Sequence, residues 1–230
     1  MPSLETMDTV ALRDRIGRNV ADIRRRIADA AARAGRDAAS VRLVAVTKTV
    51  GMAEIAALHA AGAVEMGENR VEVALPKIAA GPKDILWHMI APLQTRKATE
   101  VATAFSHFDA VDRVRAAEAL QRRCEELDRS LRVLIEVNVS GEDSKHGFEP
   151  GDLPQALAEI RSFDRLHVEG FMTMAPFGAE DAFLRTCFRN LKQLADAHEL
   201  AELSMGMTDD FEIAIEEGAT QVRIGRALFE

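Results

Sequence analysis

Residues 41–48, VRLVAVTK, form an almost unbroken apolar and β-branched run that ends on a lysine. A strand apolar on both faces belongs in a parallel sheet covered on both sides. Before it, Leu12, Ile16, Val20, Ile23, Ile27 and Ala31 recur at three- and four-residue steps. That is the stripe of one long amphipathic helix, with Asp8 placed to cap its start and Gly35 to end it. After it, strand-like runs return at intervals that leave room for a helix: AVEMGEN (63–69), ILWHMIAP (85–92), HFDAVD (107–112), RVLIEVNVS (132–140), LHVEGFMTM (166–174), ELSMGMT (202–208) and QVRIGRALF (221–229). One intervening helical stretch, RVEVALPKIAAG (70–81), contains Pro76, which kinks it or starts a second turn. Eight strands alternating with helices predict an α/β fold, a single (β/α)8 TIM barrel over residues 1–230. The chain ends on the eighth strand, so the extra N-terminal helix is expected to cover the side a final helix would close. A doubly wound open sheet is the competing architecture, and no G-x-G-x-x-G follows the first strand to support it.

The composition narrows the function classes. The 230 residues are 47% hydrophobic and 29% charged, a globular balance that excludes disordered and fibrous readings. No apolar run approaches the roughly 20 residues of a membrane span, and the charged N-terminus lacks a signal core. A net charge of −8 argues against a nucleic-acid partner. Cys124 and Cys187 stand in no metal-ligand spacing and read as reduced thiols, so no metal site is expected and the location is cytoplasmic. There is no tyrosine.

In such barrels the functional groups gather where the strands end. The first strand ends on Lys48, expected to be partly desolvated and thus a candidate for Schiff-base chemistry, or else to leave the barrel for solvent. The second ends in GEN, which places Glu68 and Asn69 on one rim. His88 lies inside the third strand and reads as a hydrogen-bonded core residue. The fifth runs into SGEDSKHG (140–147), a polar, glycine-bounded loop that reads as a mobile lid, with Lys145 and His146 more readily solvated than catalytic. SMGMTDDF (204–211) carries small residues into a helix start with Thr208 as its cap, and RIGR (223–226) sets a glycine between two arginines. Barrels of this kind bind phosphate between the loops after strands seven and eight, which fits Ser204, Gly225 and the backbone near Arg226. A phosphate at one rim and a Schiff-base lysine at another suggest pyridoxal 5'-phosphate, although phosphosugar barrels share the phosphate half.

Taken in order, VAVTK, MGENRVE, WHMIAPLQTRK, VNVSGEDSKHG, GFMTMAP, LSMGMTDDFEIAIEEGA and VRIGRALF resemble the YggS/PROSC family of pyridoxal phosphate homeostasis proteins, over roughly residues 8 to 229. The resemblance implies a barrel like the N-terminal domain of alanine racemase, with pyridoxal 5'-phosphate held as a Schiff base on Lys48. It implies that Asn69 lines the ring, that Ser204, Met205, Gly225 and Arg226 hold the phosphate side, and that Arg223 faces the pyridine nitrogen. An arginine there stays charged and disfavours protonation of that nitrogen, which leaves the ring a weak electron sink. Racemases of this fold bring a tyrosine on an additional C-terminal domain, and this chain, which stops at Glu230, has none. The implied function is therefore intracellular homeostasis of the cofactor by buffering or delivery, without an established catalytic residue. A slow amino-acid racemase, with water or His88 as second base, is the alternative. The expected partners are the cofactor and apoenzymes that depend on it, and the expected state is a monomer or weak dimer.

Overall fold

Eight parallel strands pair in sequence order and the last returns to the first, closing a barrel. The computed structural model describes residues 4–141 and 146–230, with side chains from Asp8 onward. The strands are β1 (Arg42–Val46), β2 (Glu65–Glu68), β3 (Leu86–Met89), β4 (His107–Val111), β5 (Leu131–Glu136), β6 (Leu166–Met172), β7 (Glu202–Ser204) and β8 (Gln221–Ile224). Helix α1 (Leu4–Arg33) precedes β1. The helices α2 (Met52–Ala60), α3 (Val71–Ala80), α4 (Ala98–Ala104), α5 (Val114–Glu126), α6 (Leu153–Ile160), α7 (Asp181–Ala197) and α8 (Phe211–Glu216) follow the first seven strands in turn.

After β8 there is only a short 3-10 turn, Arg226–Leu228, and α1 takes the position of a closing helix. Its stripe, Ile16, Val20, Ile23, Ile27, Ala30 and Ala31, is buried. The Asn19 amide donates to the carbonyls of Leu228 and Glu230 at 3.2 and 2.9 Å, tying the helix to the end of the chain. Arg26 and Arg33 meet Glu212 and Glu216 of α8, each at 2.6 Å, and Arg26 lies 4.6 Å over the Phe211 ring. Gly35, at φ +66°, ends α1 as expected, while Arg36 N–H closes back on the Ala31 carbonyl at 2.8 Å. Asp8 is not its cap: nothing in LETM breaks a helix, so α1 already begins at Leu4. Pro76 sits inside α3, which continues past it to Ala80.

Every expected strand run reaches beyond the strand that forms. β1 stops at Val46 rather than Lys48, β7 at Ser204 rather than Thr208, and β8 at Ile224 rather than Phe229. The surplus residues continue past the strand ends into the loops at the C-terminal end of the barrel. The apolar core fills the layer between strands and helices, whereas the barrel interior holds buried His88, His107, Asp109, Ser204, Gln221 and Arg223.

Candidate functional site

A column of polar side chains runs along the barrel axis and ends beneath the mouth. At the N-terminal end Arg42 pairs with Glu202 at 2.8 Å and stands 3.7 Å from Glu65. Glu65 Oε2 lies 3.3 Å from His88 Nε2, a charge contact, and His88 Nδ1 meets Asp109 Oδ2 at 2.9 Å. Gln221 Nε2 donates across the interior to Asp109 at 2.8 Å and to Ser204 Oγ at 2.9 Å. Arg223 completes the column, donating to the Ser204 hydroxyl and carbonyl at 2.7 and 2.8 Å and to the Thr173 carbonyl at 2.8 Å. Contacts between β4 and β8 are possible only through the interior, because these strands are not neighbours.

The charges along the column are set by burial against pairing. Burial disfavours the charged form of His88, but the Asp109 carboxylate, with help from Glu65, outweighs it and raises the imidazole to about 9. His107 stacks on His88 with ring centroids 4.1 Å apart, and burial together with its neighbour's charge pushes it down to about 4. Of the stacked pair, then, His88 carries the proton at neutral pH. His88 is wholly buried, the core residue its position suggests, and it has no access to the mouth from which to act as a second base.

At the mouth, Lys48 lies in a turn two residues past β1 and is exposed. The expectation of partial desolvation fails because the strand ends short of it. The desolvated lysine is Lys77, in the buried stripe Val71, Ala74, Lys77 of α3. Its ammonium donates to the Thr47 carbonyl at 2.8 Å and to Glu68 Oε1 at 2.7 Å, and Thr47 Oγ1 donates to the same carboxylate oxygen at 2.7 Å. Glu68 is therefore not a rim residue. It is fully buried beneath β1 and α3, and only Asn69, half-buried, stands at the mouth beside Lys48.

On the far side of β1, Ser204 and Met205 are fully buried, the Ser204 hydroxyl held by Gln221 and Arg223 and the Met205 N–H by the Gln221 carbonyl. Gly206 then turns the chain at φ +93°, and Asp210, not Thr208, occupies the N-cap position of α8, its carboxylate accepting from Met207 N–H of the preceding turn at 2.6 Å rather than from the helix. Arg226 is exposed, and its guanidinium meets Asp209 at 2.7 Å, linking the loops after β7 and β8 above half-buried Gly225. Lys48, Asn69, Ser204, Met205, Arg223, Gly225 and Arg226 thus fall on one arc, formed by the ends of β2, β1, β8 and β7. Lys145 lies outside the described residues. His146 is exposed, 3.9 Å from Asp112.

Two features have no counterpart in the reading of the motifs. One is Lys77, whose signal is a lysine within an apolar helical stripe. The other is Glu136 at the end of β5, 2% exposed, whose Oε2 has no hydrogen-bond partner. Burial, then repulsion from Asp112, raises its carboxyl to about 7 against the pull of His146 and Arg223. The donor set on the arc fits a phosphorylated aldehyde. It offers an exposed amine to condense with it, backbone turns at two loops, and one guanidinium already fixed by three acceptors.

A closed parallel barrel with an amine just past the end of β1 defines a class, and the sequence profile of the alanine racemase N-terminal domain family matches residues 18–230. A pyridoxal phosphate homeostasis protein of Pseudomonas aeruginosa is 41% identical over 217 residues, 93% of this chain and 94% of that protein. The structure of PipY from Synechococcus elongatus with PLP bound superposes with a TM-score of 0.83 at 32% identity, covering 94% of this chain and 100% of that one. Alanine racemase of Clostridium difficile, 14% identical with a TM-score of 0.76, shares the fold over 94% of this chain and 56% of its own. The chain belongs to the family of pyridoxal phosphate homeostasis proteins.

Proposed function

We propose that this protein binds pyridoxal 5'-phosphate at the mouth of the barrel, covalently through the Lys48 amine, and serves as an intracellular carrier of the cofactor. The observation that carries the reading is the pairing of an exposed lysine at the end of β1 with a buried, immobilised guanidinium, Arg223, two strand-ends away from Asn69. The relative with PLP bound supports it. When bound, the cofactor supplies an aldehyde that condenses reversibly with primary amines and a ring that withdraws electrons.

The chain's own residues divide the work. Lys48 is the anchor and Asn69 flanks the ring. Arg223 presents a permanent positive charge to the ring nitrogen, and Ser204 holds that charge in place from below. The backbone at Gly206, Gly225 and Arg226, above Met205, receives the phosphate; the Arg226 side chain is balanced by Asp209, so it adds little net charge there. Carriage rather than turnover follows from the guanidinium facing the nitrogen, from the absence of tyrosine, and from the burial of His88 and His107. No helix among the described residues is long and apolar enough to cross a membrane. The carrier acts in the cytoplasm, as a monomer or weak dimer, and hands the cofactor to apoenzymes that need it.

The test is an absorbance spectrum of the protein before and after borohydride, followed by peptide mapping. A band lost on reduction, with the label on Lys48, is the expected result. A protein that stays colourless in the presence of the cofactor sinks the reading. A slow racemase remains the second reading, and Glu136, a proton-carrying carboxyl at the mouth, favours it. Solvent deuterium entering the α-carbon of an amino acid at a useful rate would decide for it.

A further inference from the structure

Across the mouth from Lys48, the ends of β5 and β6 frame a cavity of about 300 Å³. None of the residues assigned to the cofactor lies on these strands. Its back wall is polar and its rim apolar. Glu136 and Asn138 continue β5, His146 closes one side, Met174 and Phe177 follow β6, and Met207 reaches in from the connection between β7 and α8. Phe177 is 87% exposed, so the apolar rim opens outward.

Among the described residues of the wall, Glu136 is the buried polar side chain left to face an occupant. Asn138 is engaged on both sides of its amide, donating to Glu149 and accepting from Ser140, each at 3.0 Å. The Thr173 hydroxyl donates to the Val137 carbonyl at 2.8 Å. Glu136 Oε2 is buried with no donor, and a buried acceptor without a donor is costly unless a ligand supplies one. The charged groups around it are Asp112 beyond β4, His146 on the loop after β5, and Arg223 on β8, which gives three of its five N–H groups to Ser204 and Thr173. An anion meets two carboxylates here, and among the described residues the wall itself sets only the His146 imidazole against them. An apolar ligand leaves Glu136 unpartnered. An alkylammonium satisfies both surfaces, its N–H groups on Glu136 and its stem against Met174, Phe177 and Met207.

We propose that this cavity seats a primary alkylammonium, of the kind carried by a lysine side chain, and that Glu136 takes the proton the amine must lose before it can displace Lys48. The proposal rests on the carrier reading and names the door by which the cofactor leaves. The step balances: R–NH3+ and the Glu136 carboxylate become R–NH2 and the Glu136 carboxylic acid, with the proton on the carboxyl oxygen. A carboxyl that titrates near neutrality suits that exchange. An α-amino acid fits less well, because its own carboxylate would face Glu136 and Asp112.

The first experiment uses the cofactor-free protein with 13C-labelled glutamate carboxyls, the Glu136 resonance being the one lost in Glu136→Gln. At pH 7, n-butylammonium should move it saturably toward the ionised position, and L-alanine should do so more weakly. No saturable movement with n-butylammonium overturns the proposal, and stronger movement with L-alanine overturns the alkyl assignment. The second experiment loads the protein with cofactor and follows its n-butylamine-driven release by absorbance of the filtrate. Glu136→Gln should slow that release by about a hundredfold. Equal rates in the two proteins overturn the proposal while the carrier reading stands. A protein that never takes up the cofactor overturns the carrier reading, and the resonance shift then still decides for or against the amine site.

Discussion

The Lys77 ammonium lies 2.8 Å from the carbonyl of Thr47, the residue whose peptide group leads directly into Lys48. The anchor is exposed, but the backbone that carries it is fastened from below by a buried ion pair with Glu68 at 2.7 Å. Breaking such a pair from one side strands a charge, which costs about 3–5 kcal/mol. Lys77→Met should therefore lose that much stability in urea unfolding at pH 7. Lys77→Met combined with Glu68→Gln should recover part of the loss, because no charge remains buried. A single mutant within about 1 kcal/mol of the parent would show that the pair does not hold the turn.

Lys48 itself has no such structural duty. It is exposed in a turn, and exposed substitutions of this kind stay within about 0.5 kcal/mol. Lys48→Ala is expected to melt with the parent protein and to gain no borohydride-stable mass when incubated with pyridoxal phosphate. The label should not move to Lys77, whose amine is already committed to two acceptors. Covalent mass at one unique residue in Lys48→Ala would place the anchor elsewhere.

The barrel was legible in the sequence because each strand is a short apolar run and each helix a separate stripe. The runs overshot because residues such as Met205, Met207 and Phe229 are apolar but belong to the mouth or its edges. That Lys48, Asn69, Gly225 and Arg226 stand at strand ends was legible for a related reason: they are the polar or small residues at which those runs break. What escaped was whatever depends on distant partners. Gln221 and Asp109 are 112 positions apart and meet only because the barrel closes. Glu68 reads as a rim carboxylate until α3 brings Lys77 under it. In RVLIEVNVS, Glu136 reads as one polar position in a strand, and only the enclosing loops and Asp112 make it a neutral-range acid.

Gly206 is required by its geometry. At φ +93°, a Cβ would lie 2.6 Å from the Ala214 Cβ and 2.8 Å from the Phe211 Cα. Strain and overlap of that kind each cost about 1–3 kcal/mol. Gly206→Ala should keep its far-UV spectrum, unfold at lower urea, and bind pyridoxal phosphate more weakly, because the turn that presents the backbone after β7 must shift. Unchanged affinity in the folded mutant would remove this turn from the phosphate side.

Glu136 makes stability depend on pH in a direction that can be worked out. Its folded carboxyl titrates near 7 and an unfolded glutamate near 4.5, so between those values the folded state holds a proton that the unfolded state has lost. Stability from this group is fully present below about pH 4.5 and falls as pH rises toward 7, after which the buried carboxylate is a standing cost of at most about 3 kcal/mol. His107 works the other way, since its proton is excluded until about pH 4, so the parent's own profile is a composite. The difference between Glu136→Gln and the parent isolates the carboxyl. It should be close to zero in melts at pH 4.5, grow through pH 6, and level off above pH 7.5 with the amide variant the more stable. A difference that is flat across this range, or that favours the parent at pH 8, would mean that Glu136 is already ionised in the folded protein and that the cavity wall is charged at neutral pH.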